Sequence, residues 1–209
     1  MLVEDGALAE PFAVTSALTI APRPAPREDG SATSLAGAPA SPRLLSIAAH
    51  DTFGAGSHPT TRLLLAALAT RARPGARLLD AGTGSGVVAL AAAALGLDAT
   101  GLDRDPAAIA CASANRAANG LDTAQFLVAD AADFTEGRYD LVTANLFATD
   151  LLPCLPSLAA CLAEGGLLVA SGVLLPDVAR TEAAAGRAGL VCVERAALEG
   201  WARLVFAPA

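Results

Sequence analysis

Aromatic side chains are scarce in this 209-residue chain: one Trp, one Tyr and six Phe, 4% in all. A core must therefore be packed from Ala, Leu, Val and Gly, a composition that suits small helices laid against aliphatic strands. Cysteine is scarce too. Cys111, Cys154, Cys161 and Cys192 form no CxxC pair and have no His at metal-ligand spacing, so no metal site is expected and reduced thiols are. Positive charge is outweighed, 14 basic residues standing against 21 acidic ones for a net charge of −7. Nucleic acid calls for a basic face, so no direct nucleic-acid partner is expected. The most apolar stretch of the core, residues 87–97, stops at Asp98, too short to span a bilayer. Met1-Leu2-Val3-Glu4-Asp5 puts no basic segment ahead of an apolar one, so no secretory signal is read and a cytoplasmic location is expected.

What is present is 54% hydrophobic residues, too many for disorder, and enough length for one well-buried domain plus a short accessory segment. Residues 12–20 read as one strand. Residues 21–43 are rich in Pro, Ala, Ser and Gly and read as a linker. The chain thus divides into a 1–43 segment and a 44–209 domain. A strand at 43–49 leads to turn-rich residues 51–61, where Thr60 or Ser57 is the candidate cap of a helix running to about residue 69. Strands at 77–81, 99–102, 125–129, 139–144 and 166–171 then alternate with helices at 87–95, 106–119, 150–162 and 176–188. Such alternation predicts a parallel sheet with helices on both faces. Two last strands, 190–195 and 201–206, are joined only by residues around Glu199-Gly200, so they form a hairpin and the final strand runs antiparallel. The fold class expected is α/β and Rossmann-like, a mostly parallel seven-stranded sheet with an antiparallel terminal hairpin. It resembles the large methyltransferase superfamily.

Asp80-Ala81-Gly82-Thr83-Gly84-Ser85-Gly86 ends one strand and opens a helix. Glycines there permit a tight turn and close approach of a ligand to free backbone N–H groups. A dinucleotide fingerprint, GxGxxG, needs glycine at position 87, which is Val87. The spacing is GxGxG after an acid, as in methyltransferases that use S-adenosylmethionine, and Gly82 and Gly84 are the expected cofactor contacts. Asp103 lies at a strand tip 103 − 82 = 21 residues beyond Gly82, where a carboxylate reaches ribose hydroxyls. The alternative, capping the next helix, suits Asp105 ahead of Pro106 better. Asp130 reads either as the acceptor for an adenine amino group or as a solvated loop carboxylate. Asn145 ends the fourth strand of the alternating series. It suits the methionine end of the cofactor or an incoming amine, the alternative being a cap for the helix near Asp150.

With Phe53-Gly54-x-Gly56-x-His58-Pro59-Thr60-Thr61-Arg62, Asp103-x-Asp105-Pro106, Ala144-Asn145-Leu146, Gly165-Gly166, Ser171-Gly172 and Trp201 added to the glycine loop, the chain resembles the ribosomal protein L-eleven methyltransferases (PrmA). The resemblance covers most of residues 44–206. It implies methyl transfer from S-adenosylmethionine to an amine on a protein substrate, with cofactor contacts at Thr61, Gly82, Asp103 and Asn145. Ala55 departs from the family's usual FGTG. Family members also carry a separate N-terminal recognition domain, and residues 1–43 look like their interdomain segment alone. Weak methylation of isolated ribosomal protein L-eleven is the expectation that follows. His58 suits a general base by its pKa or a turn residue shaping the entrance, and no base is assigned. Phe53 reads equally as a lid over the cofactor and as core packing. Methylation of a different protein or a small molecule, and a non-catalytic cofactor-binding subunit, are the competing functions. The intact set Gly82, Gly84, Asp103 and Asn145 speaks against the last.

Overall fold

The computed structural model describes residues 11–23, 43–48 and 56–209. Strands β1 (Phe12–Thr15) and β2 (Leu18–Arg23) form an antiparallel hairpin, and β3 (Arg43–Ala48) pairs with β2 in parallel. The single strand expected over residues 12–20 is therefore folded on itself. Phe12, Val14, Leu18 and Ile20 keep a period of two across the turn, and Ser16-Ala17 contains no Gly, Pro, Asn or Asp to announce one. Thr15 makes the turn instead, its Oγ1 accepting from the Ala17 N–H at 3.1 Å. Of the expected linker, β2 claims residues 21–23; residues 24–42 lie outside the described residues.

The larger sheet holds β4 (Arg77–Ala81), β5 (Asp98–Asp103), β6 (Gln125–Val128), β7 (Tyr139–Asn145), β8 (Leu162–Leu174), β9 (Leu190–Leu198) and β10 (Trp201–Pro208) in the order β6-β5-β4-β7-β8-β10-β9. Only β10 runs antiparallel to its neighbours. Helices α1 (Pro59–Arg71), α2 (Val87–Ala94), α3 (Pro106–Asn119), α4 (Ala148–Ala160) and α5 (Val178–Arg187) connect the strands. Several expected boundaries shift by a few residues, among them the following two. The helix read over 176–188 opens as a 3-10 turn at Leu175–Asp177. Strand β8 starts at Leu162 rather than residue 166, because Gly165-Gly166 does not break it: the ladder with β7 shifts register between Tyr139 and Leu141 and continues.

Two cores form. One buries Leu64, Leu65 and Leu90 together with Ile20 and Ile47 of the small sheet, and so fastens that sheet to the domain. The other gathers Leu151, Leu155 and Leu158 of α4 against Leu204 and Phe206 of β10. Each such side chain contributes about 1.5–3 kcal/mol on burial. Among the described residues no helix is long and apolar enough to cross a membrane.

Candidate functional site

Strands β5 and β7 leave β4 in opposite directions, and a crevice opens at the carboxyl ends where they part. A cleft of about 220 Å³ lies there, lined by Gly82, Asp103, Asp130 and Leu146 among others. Gly82 has φ +69°, and a Cβ on it would stand 2.6 Å from Leu146 Cδ2, so no other residue fits beneath this wall. Gly84, at φ +54°, has nothing within 4 Å of the place a Cβ would take. That open face gives a ligand room to lie against the turn.

Asp103 accepts twice from backbone: the Gly84 N–H reaches Oδ2 and the Asp105 N–H reaches Oδ1, each at 3.0 Å. One donor per oxygen leaves further lone pairs for a ligand's hydroxyls. Asp105 is the cap of α3, accepting from the Ala107 N–H at 2.9 Å with Pro106 following it. Asp130 is exposed, accepts from the Ala132 N–H at 2.9 Å, and still faces the cleft. Asn145 does not cap α4, which begins at Ala148 behind Phe147 with no side-chain cap. Its Nδ2 donates instead to Thr61 Oγ1 at 3.2 Å. Thr61 itself is 3% exposed, so it meets the site through Asn145. Gly82, Asp103 and Asp130 thus line the cleft, Gly84 is bonded to Asp103 beside it, and Asn145 with Thr61 stands at the β7 side next to Leu146.

Asp80 turns away from the cleft. It is buried, accepting from Thr83 Oγ1 at 2.7 Å and Thr143 Oγ1 at 2.8 Å. Burial pushes its pKa up to about 6, against the pull of those hydroxyls. His58, rather than Thr60 or Ser57, is the cap of α1. Its Nδ1 accepts from the Thr60 N–H at 3.4 Å, as an Asn or Asp oxygen does at this position. Burial lowers the pKa of its ring, partly opposed by the charge of Glu199. The ring meets Trp201 edge-on at 5.4 Å, and Phe147 tilts onto Trp201 at 5.9 Å while remaining 52% exposed. An aromatic rim therefore flanks Asn145. Phe53 lies outside the described residues.

Sequence reasoning passed over Leu146, Phe147 and the Arg104–Asp150 ion pair at 3.7 Å. The available signal was position, since all but Asp150 directly follow strand tips that bear site residues. The four cysteines are free, and no group of three or more His, Cys, Asp or Glu among the described residues is arranged to hold a metal ion.

Residues 10–208 match the family described as "Ribosomal protein L11 methyltransferase (PrmA)". The chain belongs to the ribosomal protein L11 methyltransferase family. A ribosomal protein L11 methyltransferase of Geobacter sulfurreducens is 44% identical over 155 residues, which is 74% of this chain and 51% of that protein. The chain spans about half the length of the curated relatives it matches. The crystal structure of a ribosomal protein L11 methylase from Lactobacillus delbrueckii subsp. bulgaricus superposes with a TM-score of 0.80 at 23% identity, over 96% of this chain and 99% of that one. A methyltransferase of Geobacter sulfurreducens, solved in complex with S-adenosyl-L-homocysteine, has a TM-score of 0.55 at 18% identity over 67% of this chain and 87% of that one. The Rossmann-like α/β fold expected from sequence is the fold these neighbours share. In this family member the stretch around His58-Pro59-Thr60-Thr61 supplies the α1 cap and the partner of Asn145.

Proposed function

We propose that this member of the L11 methyltransferase family transfers a methyl group from S-adenosylmethionine to an amine on a protein of the ribosomal protein L11 kind. The observation that carries the reading is the Asp103–Gly84 hydrogen bond, which fixes an acceptor carboxylate against the GxGxG turn. The cleft it faces is lined by three carboxylates, Asp103, Asp130 and Asp150, and one guanidinium, Arg104. That charge balance favours a sulfonium cation and opposes the pyrophosphate of a dinucleotide.

Bound S-adenosylmethionine supplies an electrophilic methyl carbon, so the work left to the chain is holding and aligning. Asp103 accepts from the ribose hydroxyls, and Asp130 from the adenine amino group. The backbone at Gly82 and Gly84 lets the cofactor lie close. Asn145, steadied by Thr61, would accept an N–H of an incoming amine that has given its ammonium proton to solvent, and would orient its lone pair so that the N–CH3 bond forms as the S–CH3 bond breaks and S-adenosylhomocysteine leaves. Phe147 and Trp201 offer aromatic surface to the amine's aliphatic stem and to its methylated, cationic product. His58 spends Nδ1 on the α1 cap, and no side chain is assigned as general base.

The test incubates the purified chain with methyl-labelled S-adenosylmethionine and ribosomal protein L11. The sequence contains no lysine, so labelled lysine reports the acceptor without background from the enzyme. Label on amines of L11, weak with the isolated protein, is the expected outcome. Label confined to small molecules in a lysate would move the acceptor class, and no transfer to any acceptor alongside intact cofactor binding would leave a binding subunit.

A further inference from the structure

Asn115 lies mid-helix in α3, is 0% exposed, and reaches two distant parts of the chain with one amide. Its Oδ1 accepts from the Ala48 N–H at 3.0 Å. Its Nδ2 donates to the Ala48 carbonyl at 2.8 Å and to the Ser85 carbonyl at 2.9 Å. Ala48 is the last residue of β3, and Ser85 belongs to the glycine turn. One helical turn on, Asn119 repeats the first half of the pattern: Oδ1 accepts from the Ser46 N–H at 2.9 Å and Nδ2 donates to the Ser46 carbonyl at 2.8 Å. Residues i and i+4 share a helix face, and i and i+2 share a strand direction, so the two amides dock on β3 as a neighbouring strand would. A buried amide is costly unless it is fully bonded, and α3 carries one such amide in Asn115 with the half-buried Asn119 in register beside it. Only Asn115 also holds the turn.

From Ala48 the chain runs through residues 49–55 to Gly56, His58 and Thr61. The root of that segment and the glycine turn are thus fastened to the same side chain. We propose that Asn115 is a positioning residue that ties the last strand of the small N-terminal sheet to the cofactor turn and so holds that turn in place. Its bearing on the cofactor rests on the function proposed above; the tie between β3 and the turn does not.

Hydrogen exchange in the ligand-free protein tests the tie, with Asn119→Ala as the control that loses the two bonds to Ser46 and one to the Asn115 carbonyl but none to the turn. The amides of Thr83, Gly84 and Gly86 are protected by bonds to Leu102, Asp103 and Thr83. Asn115→Ala should speed their exchange on the order of tenfold, the effect of one lost hydrogen bond, while Asn119→Ala leaves them unchanged and speeds only the β3 amides. Asn115→Asp, which keeps the acceptor for Ala48 but not the donor for Ser85, serves if the alanine variant fails to fold. Calorimetry with S-adenosylhomocysteine should then show affinity weakened about tenfold in the Asn115 variants and within about twofold of wild type in Asn119→Ala. Turn exchange unchanged in the Asn115 variants, or raised equally by Asn119→Ala, overturns the tie. Faster turn exchange with unchanged affinity overturns its role at the site. A wild-type protein that binds no S-adenosylhomocysteine overturns the cofactor reading instead, and the exchange comparison still decides the tie.

Discussion

Asp80 and Asp103 end neighbouring strands, and their surroundings give them opposite work. Asp80 is sealed under the turn with a pKa of about 6, raised from the ordinary 3.8. Its folded form holds a proton that the unfolded chain has released, so the stability it contributes is full below pH 3.8 and is lost as the pH rises through 6. Between pH 4 and pH 7 the stability of Asp80→Asn relative to wild type should therefore improve by roughly 2–3 kcal/mol, read from urea midpoints at the two pH values. A difference that does not move with pH would place the charge outside the core. Asp103 works outward. Asp103→Ala removes bonds to a charged acceptor worth about 1.5–3 kcal/mol, so affinity for S-adenosylhomocysteine should fall roughly 10- to 150-fold in calorimetry; unchanged affinity would make Asp103 a brace for Gly84 alone. Asn145→Ala should keep its melting temperature while slowing transfer at saturating cofactor, and a variant that unfolds would refute the alignment role. These strand-tip residues were legible in the sequence because tips are where a glycine turn, an acid or an amide stands out. Asn115 was not, because an amide in the pattern of α3 looks like its solvated face until Ala48 and Ser85 are seen on either side of it.

Helix α1 starts on a histidine, and that changes what His58 can be asked to do. The ring nitrogen Nδ1 is engaged at the cap, 3.4 Å from the Thr60 N and 2.8 Å from the Thr60 hydroxyl, and burial favours the neutral ring. His58→Ala should cost about 0.5–2 kcal/mol, the range for a lost cap, whereas His58→Asn should recover most of it and retain methyl transfer. Loss of turnover in a stable His58→Asn protein would restore the general base. Cap identity was hidden because Ser57 and Thr60 both carry the commoner capping oxygen, and only the backbone entry to Pro59 selects between them. The hairpin of β1 and β2 was hidden for a related reason: Thr15 makes its turn through a side chain, with no glycine to mark it. The alternating strands and helices after residue 76 were readable because each strand is an apolar run bounded by glycine, proline or charge. Helix α4 was read through Pro153 and Pro156, since Leu151, Leu155 and Leu158 hold its buried face in register.

At the scale of the molecule, α1 joins the distant ends of the chain. Arg71 at its last turn and the buried Arg203 of β10 both pair with Glu194 of β9, while its apolar face packs on the small sheet's core. A ligand that bridges β4, β5 and β7 should therefore stabilise the domain as a unit. At about 100 times its dissociation constant, S-adenosylhomocysteine should add about 2.7 kcal/mol and raise the melting temperature by roughly 5–10 °C for a chain of this size. NAD at the same concentration should leave it where it was. The strand order β6-β5-β4-β7 adds a question of timing. The chain lays β5 and then β6 outward from one side of β4 before returning to its other side with β7, so the glycine turn and Asp103 can meet early in maturation. Leu146 and Asn145 arrive only with that return, and Thr61 waits across 84 residues for its partner. In chain order the cofactor's ribose anchor is thus complete before the far wall of its cleft, and a ligand held between them bridges strands laid on both sides of β4.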